Sequence, residues 1–361
     1  MKKLLLYPFT YEHREIFRYK KYIADYQYIT GVTANEPDFY FLNNYIKEFS
    51  DVSIENKFEN ALDNCDTVLF CTTDTLKLEK EVYLENIRKA TEKKREVFLT
   101  KKCRELLGDD CPKNVTILEK MSQINRLNCN EKEYLKNISV PAIGIMGMGQ
   151  FCNKFCTELE IHEFFKGKGY KAQYFGSKDF APLFGGMLLP DFLFDTKKSV
   201  TKRILLWNQY LFELCKAEQP DILIIGIPGG IMPLNNKILN GFGECASIIT
   251  NGIHFDIGIL CSYFYERVDG RYFEEYKNYC KYRLNCDVGY INISNSACRY
   301  NLDSQESVLE YLHYESEMAD KIVVDCQSAE AIGTYNILNG QSKEILLNRI
   351  LTDLTEGVSA F

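Results

Sequence analysis

The sequence predicts two α/β domains, each built on a mainly parallel sheet. Three observations carry this. Strand-length apolar runs alternate with helix-length periodic segments, the pattern of parallel strands joined by right-handed crossovers. Residues 221–226, Asp-Ile-Leu-Ile-Ile-Gly, form a continuous apolar run of the kind that fills the centre of a parallel sheet. Residues 143–155 place closely spaced glycines between an apolar run and a helical segment that opens on a lysine. The chain has 361 residues, 46% apolar and 26% charged, enough for two globular cores.

In order, residues 3–9 read as a strand, 11–26 as a helix and 28–33 as a second strand. Residues 67–73 are a buried strand ending in hydroxyls, followed by a polar helix over 76–94. Residues 96–100 and 115–119 read as later strands. Pro8 stands where a dinucleotide-binding GxGxxG would begin, so that role has little support in this half. Thr72, Thr73 and Asp74 lie at a strand's carboxyl edge and could face a ligand; an N-cap at Thr73 or Asp74 is the ordinary reading. The polar stretch 128–139 marks the boundary, giving domains over 1–130 and 139–361.

The second domain continues with a helix over 153–167, a strand over 170–175 and a helix over 201–217. Further strands are expected at 221–226, 246–250, 257–264, 288–293 and 321–325.

The net charge of −7 argues against general affinity for nucleic acid or anionic membrane. The apolar run after Lys2-Lys3 is too short for a signal peptide, and nothing later approaches a membrane span, so the expected compartment is the cytoplasm. The 14 cysteines are scattered without a CxxC pair and read as reduced thiols. Cys152 with Cys156, and Cys280 with Cys286, are loose pairs; buried small hydrophobes explain them better than a metal site, and none is expected.

The chemistry centres on Gly147-Met148-Gly149-Gln150-Phe151-Cys152-Asn153-Lys154-Phe155. Glycines let backbone N–H groups turn inward, a helix start adds partial positive charge, and a lysine reaches outer phosphates. The loop departs from GxxxxGK[ST]. Gly147 to Lys154 is one residue longer, Asn153 replaces the second glycine, and Phe155 replaces the hydroxyl that would hold Mg²⁺. Cys152 at this helix start is a nucleophile or a structural thiol. His254 and Asp256, two apart after residues 247–250, form an orienter–base pair or serve as backbone anchors. Ser177 and Lys178 close a strand at its carboxyl edge. Asp191 could replace a missing metal carboxylate or simply anchor a loop. Asn292 and Asn295 follow a late strand, as base readers or turn residues.

The second domain resembles the dethiobiotin-synthetase-like branch of P-loop proteins, which is C-terminal here. Its extra loop residue matches the Gly147-to-Lys154 spacing, its next strand matches Lys171-Ala172-Gln173-Tyr174-Phe175-Gly176-Ser177, and its acidic-Gly-Ala-Gly-Gly turn matches Gly226-Ile227-Pro228-Gly229-Gly230 with Pro233 following. The resemblance implies phosphate binding by Gly147, Gly149, Asn153, Lys154, Ser177, Gly229 and Gly230, with ATP or another nucleotide as ligand. It also implies that both usual Mg²⁺ partners are lost, at Phe155 and Gly226. The whole chain, from its opening LLLYPFTYEHREIFRYK, resembles a clostridial family of peptide maturation system proteins with a Rossmann-like N-terminal half. Gly147, Gly149, Cys152, Lys154 and Phe155 match that family's G-x-G-x-x-C-x-K-F loop. The implied setting is natural-product peptide modification, with a precursor peptide or acyl-carrier-like protein as partner. The expected function is nucleotide or phosphate-ligand binding with little intrinsic ATPase activity. An ATP-dependent ligase acting on a carboxylate, and a non-enzymatic peptide or carrier-binding module, are the alternatives.

Overall fold

Two compact units divide the chain: residues 1–120 with 179–186, and residues 121–178 with 187–361. A computed structural model of the protein describes residues 2–74, 76–120, 134–236, 238–266, 270–300, 309–328 and 333–357. Half of the expected boundary at 128–139, residues 128–133, lies outside these residues. The short segment Asp179–Gly186 groups with the first unit, which a single cut in the sequence does not anticipate.

The first unit carries β1 (Lys2–Tyr7), α1 (Arg14–Arg18), β2 (Tyr26–Val32), α2 (Glu36–Tyr45), β3 (Val52–Glu55), α3 (Phe58–Asp63), β4 (Thr67–Phe70), α4 (Lys80–Glu92), β5 (Glu96–Leu99), α5 (Lys101–Leu107) and β6 (Thr116–Ile117). Its strands are all parallel, in the order β3-β2-β1-β4-β5-β6. That is the Rossmann order, with the switch between β1 and β4. Every residue of β4 is buried, as a strand covered on both faces requires. Helix α4 buries Tyr83, Asn86, Ile87 and Ala90, a stripe at helical spacing. The helix expected over 11–26 is instead a 3-10 turn at Tyr11–His13, the short α1, and a second 3-10 turn at Lys20–Tyr22. Burial there runs through four consecutive residues, Arg14 to Phe17, so no helical stripe extends the element.

The second unit carries β7 (Ala142–Gly147), α6 (Lys154–Gly167), β8 (Ala172–Gly176), β9 (Met187–Leu188), α7 (Val200–Glu218), β10 (Ile222–Gly226), α8 (Glu244–Gly252), β11 (Ile257–Ser262), α9 (Gly270–Leu284), β12 (Val288–Ile293), β13 (Ser296–Tyr300), β14 (Leu309–His313), α10 (Ser316–Ser328), β15 (Gly333–Tyr335) and α11 (Gly340–Gly357). Seven strands form a parallel sheet in the order β15-β12-β11-β7-β10-β8-β9, and β13 and β14 make a separate antiparallel hairpin. Met146, Phe175, Ile225 and Leu260 of the sheet share one core cluster with Trp207 and Leu211 of α7, Ile249 of α8 and Phe273 of α9. Helix α6 packs over β7, β10 and β8. Lys343 of α11 pairs with Glu160 of α6 at 2.8 Å.

Two expected strands are helices. Residues 246–250 lie in α8 and 321–325 in α10. Short β-branched runs fit either element until tertiary packing decides.

Candidate functional site

The glycine loop lies at the carboxyl end of β7, between two central neighbours, β10 and β11. In open α/β sheets this is the edge at which ligands bind. The loop is pinned from both sides. Gly147 O accepts from Ile231 N at 3.0 Å, Met148 N donates to Cys261 O at 3.0 Å, and Asn240 Nδ2 donates to Met148 O at 3.0 Å. Two non-glycine residues, Phe151 and Asn153, take left-handed backbone at φ 58° and 61°. Strain of that kind persists only where the surroundings over-determine it, and it concentrates at functional loops.

Lys154 is the first residue of α6, a 14-residue helix. Its Nζ donates to the Gly229 carbonyl. Gly229 itself has φ 75°, so the Gly229-Gly230 turn presents that carbonyl to the helix start. The ammonium, the helix N-terminus and the turn after β10 therefore meet at one edge. Asn153 is buried, and its Nδ2 donates at 3.1 Å to Oδ1 of Asn295, which lies between β12 and β13. Asn295 in turn donates to Tyr314 O at 2.9 Å, so it braces the loop's exit. Asn292 is buried with Oδ1 accepting from Ile337 N at 2.8 Å. Cys152 is buried, and its thiol donates to the Gly149 carbonyl at 3.1 Å, an internal tie of the loop. Phe155 is among the most deeply buried side chains, so its ring belongs to the core.

The sequence reading missed the residue that completes this edge. Glu158 lies one turn beyond Lys154 and is 0% exposed. Its Oε2 accepts from Tyr174 OH at 2.9 Å and from Ser177 N at 3.0 Å. Its Oε1 is buried with no hydrogen-bond partner among the described residues. The carboxyl occupies the space over Gly226, where a Cβ would lie 2.2 Å from Cδ and 2.3 Å from Oε1. Only glycine at 226 lets it in. Thus the glycine that ends β10 leaves room for a side chain, and a carboxyl from α6 fills it. Complete burial pushes the Glu158 carboxyl above the usual carboxylate range, against the opposing pull of Ser177, Tyr174 and the Lys154 charge. The Tyr174 phenol is likewise raised, by burial first and then by Glu158. One signal was available: a glycine where an acid is expected invites a search for a carboxyl on the facing helix.

The remaining candidates lie elsewhere. Asp256 Oδ2 accepts from Ala142 N at 2.8 Å, at the start of β7, and His254 is exposed beside it. Both therefore sit at the amino edge, a strand's length from the loop, and the structure does not bring them to Lys154. Asp191 opens a 3-10 turn after the edge strand β9, three places from β7. In the first unit, Thr73 Oγ1 meets Thr10 Oγ1 at 3.3 Å, and the Thr72 carbonyl meets His13 Nε2 at 3.1 Å across the β1–β4 switch. Asp74 N donates to Glu12 Oε2 at 3.0 Å. Helix α4 begins later, with Glu79 as N-cap, so neither Thr73 nor Asp74 caps it. No cluster of three or more His, Cys, Asp or Glu side chains suited to a metal occurs among the described residues. No helix among them is long and apolar enough to cross a membrane.

These features define a two-unit α/β protein with a Rossmann-ordered first sheet and a glycine loop on the second. A crystal structure of a DUF1611 family protein from Anabaena variabilis ATCC 29413 matches 98% of this chain and 100% of its own, with a TM-score of 0.65 and 11% identity. At that identity the likeness shows the fold alone. No protein-family model matches the chain, and no curated protein does.

Proposed function

We propose that the chain binds a phosphate-bearing ligand, a nucleotide in the first instance, at the glycine loop of the second unit. The observation that carries this is Lys154. It stands on the first turn of α6, after a strained loop, with its ammonium directed to the Gly229 turn at the carboxyl end of the central strand. A helix start and a lysine together favour an anion. The resemblance to peptide maturation proteins adds a setting: an accessory protein of a peptide-modification pathway, with a precursor peptide or acyl-carrier-like protein as partner.

Thermal-shift measurements with ATP, GTP and pyrophosphate, with and without Mg²⁺, test the reading. The expected result is stabilisation that depends little on Mg²⁺ and disappears in Lys154→Ala, with the variant's own melting temperature unchanged. A shift that requires Mg²⁺ favours the ligase. Equal affinity in wild type and Lys154→Ala overturns the anion site.

A further inference from the structure

Glu158 is costly where it stands. A carboxyl oxygen in a dry place without a partner loses its hydration and gains nothing in return. The fold also reserves space for it, since Gly226 must lack a side chain for the carboxyl to fit. Tyr174 OH and Ser177 N satisfy Oε2 and fix the group's orientation, and the Ser177 hydroxyl lies near enough to favour the charged carboxyl, while Oε1 makes no hydrogen bond of its own among the described residues. The four-residue spacing puts the carboxyl on the face of α6 that carries Lys154. Its neighbour Gly226 ends β10, the strand paired with β7 beneath the glycine loop.

We propose that Glu158 is a ligand-contacting acid of the anion site, whose Oε1 shares a proton with an oxygen of a bound oxyanion of the phosphate-monoester class. This rests on the anion reading above and deepens it. Two negative oxygens cannot face each other in a dry site, but a carboxylic acid can donate to one. Binding therefore takes up a proton at Glu158 Oε1, and Lys154 supplies the balancing charge. The direction of the carboxyl's displacement, upward through burial, agrees with a group that holds its proton readily.

The groups facing Glu158 narrow what else could titrate. Lys154 comes from its own helix, Tyr174 from β8 and Cys261 from β11. Burial raises the phenol and the thiol well above their ordinary values, so both stay neutral near pH 7. His162 lies against the Tyr174 ring at 5.1 Å, with its Nδ1 3.2 Å from Glu163. Among these described neighbours it is the residue type whose ordinary titration falls between pH 5.5 and 8.5.

The test is calorimetric titration of the full chain with sulfate and with inorganic phosphate from pH 5.5 to 8.5, in two buffers of different ionisation enthalpy. Sulfate does not titrate in this range, so any pH dependence comes from the protein. The expected wild-type result is sulfate affinity falling by up to about tenfold per pH unit above the carboxyl's pKa, with up to one proton taken up per ion. Glu158→Gln, whose amide is a permanent donor, should bind with a flat profile and more tightly than wild type at pH 8.5. Wild-type binding without proton uptake overturns the proposal and spares the anion site. A Glu158→Gln profile as steep as wild type also overturns it and assigns the proton to His162. Absence of sulfate and phosphate binding at every pH removes the anion site and this proposal together. The proton count in wild type decides the matter even if the variant folds poorly.

Discussion

At position 226 the side chain is a single hydrogen, and the Glu158 carboxyl uses the space. Gly226→Ala would place a methyl carbon 2.2 Å from Glu158 Cδ, so the acid must move or the strand must shift. Overpacking of this kind costs about 1–3 kcal/mol. The expected outcome is a lower denaturant midpoint together with weaker sulfate binding; an unchanged midpoint would show that the carboxyl does not occupy this space. A second prediction follows from the carboxyl's raised pKa. Such a group binds its proton more tightly folded than unfolded. Its stabilising contribution is full below the ordinary carboxylate value of about 4.3 and is lost as pH climbs through the raised folded value. Wild-type stability measured against Glu158→Gln should therefore decline across that window and level off on either side. A constant difference from acid to alkaline pH would contradict the assignment. Lys154 was readable in the sequence because a lysine after a glycine loop has a local meaning. Glu158 was not, because a Lys and a Glu four residues apart usually mark a solvated helix face. Only the packing of α6 over β10 turns that face inward.

At the scale of elements, the parallel strands with long apolar runs were legible, and the short β-branched segments were not. Residues 246–250 sit in α8, which starts after Gly243 at φ 70° and buries Ala246, Ile248, Ile249 and Thr250. The segment 321–325 sits in α10, where Ala319, Ile322 and Val323 join the core. In both cases the partner surface lies far along the chain, so local propensity had no means of choosing. Neighbouring helices are also joined by polar clamps that no periodicity reveals. Asn208 of α7 is buried; its Nδ2 donates to Gly252 O and Lys136 O, each at 3.0 Å, while its Oδ1 accepts from Lys136 N at 2.7 Å. It ties α7 to the end of α8 and to the segment leading into β7. Asn208→Ala strands the Gly252 carbonyl and frees that segment, which should cost about 2 kcal/mol by the rule for unsatisfied buried groups. Urea unfolding would measure it, and a loss within about 0.5 kcal/mol, the range of ordinary surface substitutions, would show the clamp to be dispensable.

At the scale of the molecule, two parallel sheets were foreseeable from alternation, but strand order was not, because order is set by which crossovers cover which face. That order decides the chemistry available at the loop. It seats β10 beside β7 with α6 packed over both, and so brings the Glu158 carboxyl onto Gly226 at the end of β10. Phosphoryl transfer draws on several elements at once: a loop hydroxyl and a strand-end carboxylate to position a divalent cation, and a lysine for the phosphates. This chain keeps the lysine. Phe155 is buried in the core, and burial pushes the Glu158 carboxyl beside Gly226 above the ordinary glutamate range. A hard cation prefers ionised or strongly dipolar oxygens, and a carboxyl whose charged form is disfavoured by burial is a poorer ligand for it. Phe155→Thr alone should not create activity, since a threonine there would enter the core and the strand-end acid would be unchanged. We therefore expect purified wild type to hydrolyse ATP far more slowly than about 1 s⁻¹, the lower end of ordinary enzyme turnover. A coupled phosphate-release assay measures this. A rate at or above that level, lost in Lys154→Ala, would overturn the binding-protein reading and favour the ATP-dependent ligase.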